Sequence, residues 1–155
     1  MTSTLKTDKI EGVTASGTVQ MPSGMVIQTV QTVGSSGRQT YTSTSFFDLV
    51  TVSITPKFST SKILVSAHTS ITIQNTAYVE TKIVRDSTDI FSIDTQSGYV
   101  NNSVNEHSVG SASGEILDSP STTSATTYKL QMKMKASGNI LIDGQPVITV
   151  MEIAQ

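Results

Sequence analysis

No cysteine occurs among the 155 residues, so neither a disulfide framework nor a thiolate metal site is available, and stability has to come from packing or from assembly. Proline is scarce too, at 4 residues. That argues against a disordered, mucin-like chain, although roughly three residues in ten are Ser or Thr. Charge is thin. Only 14% of residues are Asp, Glu, Lys or Arg, the formal net charge is −2, and no Lys or Arg stands beside another, so a basic footprint for nucleic acid is absent. Nothing approaches the roughly eighteen successive apolar residues of a membrane helix. The N-terminus also lacks the charged start and apolar core of a signal peptide, so neither a membrane partner nor ordinary secretion is expected. At this length one domain with a real core is expected.

What remains is a chain suited to β-structure, since Thr favours strands and Ser fills turns and solvent faces. The organising stretch is TVSITPKFSTSKILVSAHTSITIQ, residues 51–74. Ile63, Val65, Ala67, Thr69, Ile71 and Ile73 alternate with Leu64, Ser66, His68, Ser70, Thr72 and Gln74, the period of a half-buried strand. A strand this long belongs in the middle of a sheet, and small Ala67 beside His68 is the expected place for a bulge. Before it, Val50, Val52 and Ile54 form a shorter alternation that Pro56 ends.

The rest of the chain follows the same grammar. Residues 1–25 carry only isolated apolar residues, Leu5, Ile10 and Val13, and read either as a flexible tail or as a thin stalk in which several copies share an axis. Pro22-Ser23-Gly24 marks a turn into a head spanning residues 26–155. Strands are expected at 26–33 and within 38–47. Another at 77–86 is expected to form a hairpin with the long strand through Asn75-Thr76. Turns at 86–89, 118–120, 138–139 and 143–144 separate IFSI, Ile116-Leu117, NILI and the closing VITVMEI. Tyr128, Leu130, Met132 and Met134 alternate with Lys129, Gln131, Lys133 and Lys135, a strand whose basic face either meets water or an acidic partner. Residues 94–113, rich in Asn, Ser and Gly, are expected to form the longest loop, the place where binding usually resides on a β scaffold. A weakly patterned edge strand near residues 104–109 would look similar. About eight strands with no helix give the expected fold class: all-β, an antiparallel sandwich of jelly-roll type.

Chemistry is sparse. His68 and His107 are far apart, Glu106-His107 lacks further ligands, and no Ser occupies a G-x-S-x-G elbow. Asp86, Asp89 and Asp94 lack the oxygen-rich loop of a calcium hand, and Asn101-Asn102-Ser103 is a short glycosylation pattern. The residues predict no catalytic set, no metal and no cofactor.

Several stretches carry a resemblance: STLKTDKI near the start, SITPKFSTSKILV at the central turn and strand, IVRDSTDI, LDSPSTTSATTYKLQMK and the terminal ITVMEIA. Together and in this order they resemble small fibre or fibre-tip proteins in the virions of tailed bacteriophages, particularly marine ones. The resemblance implies a non-enzymatic virion structural protein, a homotrimer whose N-terminal segment (Leu5, Ile10, Val13) attaches it to another virion protein of tail or capsid. The head would then be displayed outward as a short fibre or knob. Tyr99, Asn101, Asn102 and Asn105 would contact a host surface glycan in three copies at once. A decoration or cement protein of the capsid, with no host recognition, is the alternative.

Overall fold

The structure, a computed structural model, describes residues 21–74, 78–97, 107–135 and 138–155. Ten strands form two antiparallel sheets with no helix among the described residues. The chain supplies β1 (Val26–Val33), β2 (Gln39–Tyr41), β3 (Phe47–Ile54), β4 (Lys62–Gln74), β5 (Val79–Arg85), β6 (Thr88–Ser97), β7 (His107–Asp118), β8 (Thr126–Met134), β9 (Asn139–Ile142) and β10 (Val147–Ile153). One sheet has the order β1-β10-β4-β9-β2 with β7 on the free side of β4; the other runs β3-β8-β5-β6. The fold is an antiparallel β-sandwich of jelly-roll type, as the alternation implies. The Pro22-Ser23-Gly24 turn is present, with Gly24 at φ 88°, and Gly24 and Met25 are bonded to the backbone of Ala154.

Alternation decides which side chains close the core. On β4 the residues Ile63, Val65, Ala67, Ile71 and Ile73 are buried, and on β8 so are Tyr128, Leu130, Met132 and Met134. Fully burying a large aliphatic side chain contributes roughly 1.5–3 kcal/mol before chain entropy. These two strands, each near the middle of its sheet, anchor two adjoining apolar clusters.

Three expectations are corrected. First, β4 contains no bulge at Ala67-His68: its pairing with β7 runs unshifted from Ile63↔Asp118 to Gln74↔His107. The interruption falls in the neighbouring strand instead. β10 accompanies β4 only as far as His68 and β9 takes over from Thr72, while the Ser70 hydroxyl accepts the Gly144 N–H (2.9 Å) in the gap. Second, β5 is not in a hairpin with β4. Both edges of β4 are already occupied, so the chain crosses to the other sheet, where β5 pairs with β6 and β8; Asn75 and Thr76 lie outside the described residues. The two-residue turn Asp86-Ser87 makes the β5–β6 hairpin, with Asp86 at φ 53° and locked to Thr127 by hydrogen bonds of 2.7 and 3.0 Å. Third, residues 94–113 are not one loop, because β6 extends to Ser97 and β7 begins at His107. The middle of β7 looks unlike strand because its positions under β6, Ala112 and Gly114, are kept small: a Cβ on Gly114 would come within 2.6 Å of Ile93 and 2.9 Å of Phe91.

Among the described residues one charged side chain sits in the interior. Glu152 occupies an inward position of β10 and is fully buried. Its carboxylate accepts the Lys57 N–H (2.7 Å), the Phe58 N–H (3.3 Å) and the Gln28 amide (2.6 Å), and Gln28 also donates to the Thr55 carbonyl (2.8 Å). The β3–β4 connection is thereby fastened to β1 and β10.

Candidate functional site

The strand register brings three connections to one end of the sandwich. Gln74 pairs with His107 and with Asn139, and Val79 pairs with Ser97 and with Met134. The links β4–β5, β6–β7 and β8–β9 therefore leave from a common rim. The rim is tied by the Lys135 N–H to the Tyr78 carbonyl (3.0 Å) and by the Asn139 amide to the Gln74 side chain (3.4 Å). The expected contact residues Tyr99, Asn101, Asn102 and Asn105 belong to the β6–β7 link and lie outside the described residues. So do Glu106 and the attachment residues Leu5, Ile10 and Val13. What the structure fixes is the frame that presents the link.

Beside the rim, the outer face of the four-stranded sheet resolves the question of the basic strand. Asp48 on β3 pairs with Lys129 (3.0 Å) and accepts the Gln131 amide (2.6 Å); Glu80 on β5 pairs with Lys133 (3.1 Å) and Lys135 (3.5 Å). Lys82 donates to both oxygens of Asp89 at 2.8 Å. The lysines of β8 find their acids within the chain, on the strands to either side. Phe46 lies beneath two of these cations, with Lys82 3.8 Å and Lys133 4.4 Å from its ring centroid. Phe46, Glu80, Lys82 and Asp89, with Ile90, Phe91 and Ser92, border a shallow cleft of about 260 Å³.

The electrostatics of the cleft tell against acid catalysis. The close approach of Lys133, with the further charge of Lys135, holds the Glu80 carboxyl below the ordinary glutamate range despite partial burial. A general acid of a glycosidase needs the opposite shift. At Asp48 burial pushes the carboxyl up, but the bonds from Gln131 and Lys129 outweigh it and the net shift is downward. Because both folded values are depressed, their contribution to stability is complete above the ordinary values of 4.5 and 3.8 and is lost as pH falls through the folded ones. Urea midpoints measured between pH 7 and pH 2 should fall most steeply below pH 4.5, and Glu80→Gln should flatten that fall; an unchanged profile would contradict the assignment.

The other singled-out residues do separate jobs. His68 is exposed on the outer face of the six-stranded sheet, opposite Ser113, in a shallow depression of about 390 Å³ that Ser66 and Glu115 also border. Asp86 holds the β5–β6 turn, Asp89 holds Lys82, and Asp94 accepts the Gln96 N–H (2.8 Å). Among the described residues no three His, Cys, Asp or Glu side chains gather to hold a metal ion.

Sequence reasoning missed a polar bridge between the sheets. Arg85 at the end of β5 donates to both Asp118 oxygens (2.7 and 2.8 Å), and the buried Tyr128 hydroxyl donates to Asp118 at 2.8 Å. Burial, reinforced by Asp118, pushes the Tyr128 hydroxyl far above its ordinary value, so it stays protonated and keeps the proton that it donates to Asp118. The signal was available for Glu152, a lone carboxylate in phase with Ile148 and Val150. None marked the Arg85–Asp118 pair, which joins residues 33 apart.

No family model matches the chain, and no curated protein matches it. Solved structures do. Infectious bursal disease virus of the Gx strain matches over 85% of this chain at 12% identity and TM-score 0.50, and the Gt strain over 95% at 11% and 0.50. The VP2 subviral particle of the same virus matches over 82% at 10% identity and TM-score 0.50. The chain spans 33% of the first and third of these proteins and 43% of the second. At such identities the likeness is one of fold, the jelly-roll sandwich.

Proposed function

We propose that this chain is a non-enzymatic structural protein of a tailed-bacteriophage virion, a short trimeric fibre or knob with its β head turned outward. The observation that carries this reading is the sandwich itself, matched over 82% of the chain by the VP2 subviral particle. The fibre-like stretches of the sequence narrow it from virion protein to fibre. Residues 1–25 are assigned to attachment, with Leu5, Ile10 and Val13 on the shared axis and another virion protein of tail or capsid as the anchor. The depressed Glu80 and the neutralised lysines of the cleft support a role without catalysis.

In this reading the rim displays Tyr99, Asn101, Asn102 and Asn105 to a host surface glycan. Amide groups match the donors and acceptors of sugar hydroxyls, an aromatic ring packs on the sugar face, and three copies per fibre add weak contacts by avidity. The test is adsorption. Phage whose protein carries Tyr99→Ala with Asn101→Ala and Asn102→Ala should adsorb at least tenfold more slowly, and excess purified protein should compete with intact phage. Particles that lack the protein, adsorb normally and burst more readily under osmotic shock would instead identify it as a decoration protein of the capsid.

A further inference from the structure

The two outer faces of the sandwich differ in kind. That of the four-stranded sheet carries Asp48, Glu80, Lys82, Asp89, Lys129 and Lys133, each in an ion pair, a surface built for water. On the six-stranded sheet, antiparallel register lines up Thr29, Met151, Leu64 and Leu117 in one row across four strands, and sets Val26 beside Ile153 in the next. Among the described residues, four of the six exposed large apolar side chains lie on this face: Val26 (52% exposed), Val33 (46%), Val109 (76%) and Leu117 (46%). Among the described outward positions of β1, β10, β4 and β7, only Lys62 and Glu115 carry a full charge.

We propose that the outer face of the six-stranded sheet is the surface through which copies of this chain associate. It deepens the trimer reading given above and rests on it only for the number of copies. Two features select a second copy as the occupant. The first is charge: Lys62 and Glu115 are of opposite sign and flank the Leu64–Leu117 row from opposite sides, so around a three-fold axis Glu115 of each copy can meet Lys62 of the next, with the aliphatic rows along the axis. A surface without net charge meets its own copy without repulsion. The second is extent. β4 and β7 have 13 and 12 residues and β1 and β10 have 8 and 7, so at about 3.4 Å per residue and about 4.8 Å per strand the four-strand face covers on the order of 650 Å². That falls within the share of one partner in an interface of standard size, roughly 600–1,000 Å².

The full-length chain is tested by light scattering across a concentration series. The wild type is expected to associate, and Val109→Asp with Leu117→Asp to raise the dissociation constant at least 100-fold. Both positions are exposed, so the circular-dichroism spectrum should keep its β signature, and any fall in the melting temperature should be no larger than the lost association accounts for. Thr51→Asp, an exposed position on the other sheet, is the control and should keep the native mass. Lys62→Glu alone and Glu115→Lys alone should each weaken association at least threefold, and the two together should restore it. A wild type that is monomeric throughout, or a Val109→Asp/Leu117→Asp protein that keeps the wild-type mass, overturns the proposal. A monomeric wild type whose double variant is no longer incorporated into particles overturns it in favour of another virion protein as occupant. The virion reading is judged separately, by finding the chain in purified particles with mass spectrometry. A chain that associates through this face but is absent from virions sinks that reading alone.

Discussion

Glu152→Ala is expected to lower the stability of the fold by about 3 kcal/mol, and the melting temperature by about 6–12 °C at roughly 2–4 °C per kcal/mol for a chain of this size. The carboxylate is the acceptor for two backbone N–H groups of the β3–β4 connection and for the Gln28 amide. Without it those donors lose their acceptor in part-buried positions, and an unpaired buried donor costs roughly 1–3 kcal/mol. Release from burying the charge offsets part of this loss, which is why the expected sum stays near the lower bound. Glu152→Gln should fall between wild type and Glu152→Ala, since its amide can accept on one atom only. Hydrogen exchange at Lys57 and Phe58 gives the local readout: both amides should exchange faster in Glu152→Ala than in wild type. A melting temperature within about 2 °C of wild type would sink the clamp.

The second large effect is at the bridge between the sheets. Asp118→Ala removes the one acceptor shared by Arg85 and the buried Tyr128 hydroxyl and is expected to cost about 2–4 kcal/mol. Tyr128→Phe should cost only about 1 kcal/mol, because it removes a donor and leaves Arg85 on Asp118. Combined, the two changes should lose less than the sum of the singles, with a coupling of about 0.5–1.5 kcal/mol read from urea denaturation. Replacing all three partners with Arg85→Met, Asp118→Leu and Tyr128→Phe should recover most of the loss, as apolar packing replaces a buried ionic group. Additive single effects would show that the three side chains do not act as a unit.

The strands that could be read directly are those with one wet face. β4 and β8 alternate because each has a core on one side and solvent on the other, and period two in the sequence is the imprint of that asymmetry. Partner choice leaves no such imprint. The Ala77–Val79–Thr81–Ile83 alternation fixes which face of β5 is inward, but it is equally compatible with a hairpin to β4 and with a crossing to β8. β7 was hidden for a different reason. Gly114 and Ala112 are small because Phe91 and Ile93 from β6 fill the space above them, so the apolar mass that buries β7 is written elsewhere in the chain. The candidate site was legible as a composition, Asn and Ser near residue 100, and its frame only through the register of six strand ends. The Glu152 clamp was legible in phase, whereas its donors Gln28 and Lys57 lie 124 and 95 residues away.

The order of the six-stranded sheet also sets a tempo. β4, its central strand, pairs with β7, β9 and β10, all later in the chain, and β1 pairs with β10 from Val26↔Ile153 to Val33↔Val147. During synthesis the long apolar strand therefore emerges well before any of its neighbours exist. β5–β6, joined by Asp86-Ser87, is the local hairpin that can form early. Closure of loops this long before pairing rewards them places folding in the millisecond-to-second range of sandwich proteins. Over that interval Ile63, Val65, Ile71 and Ile73 stand open to other nascent chains, so yield in expression should depend on temperature and on chaperones more than on the final stability of the sandwich.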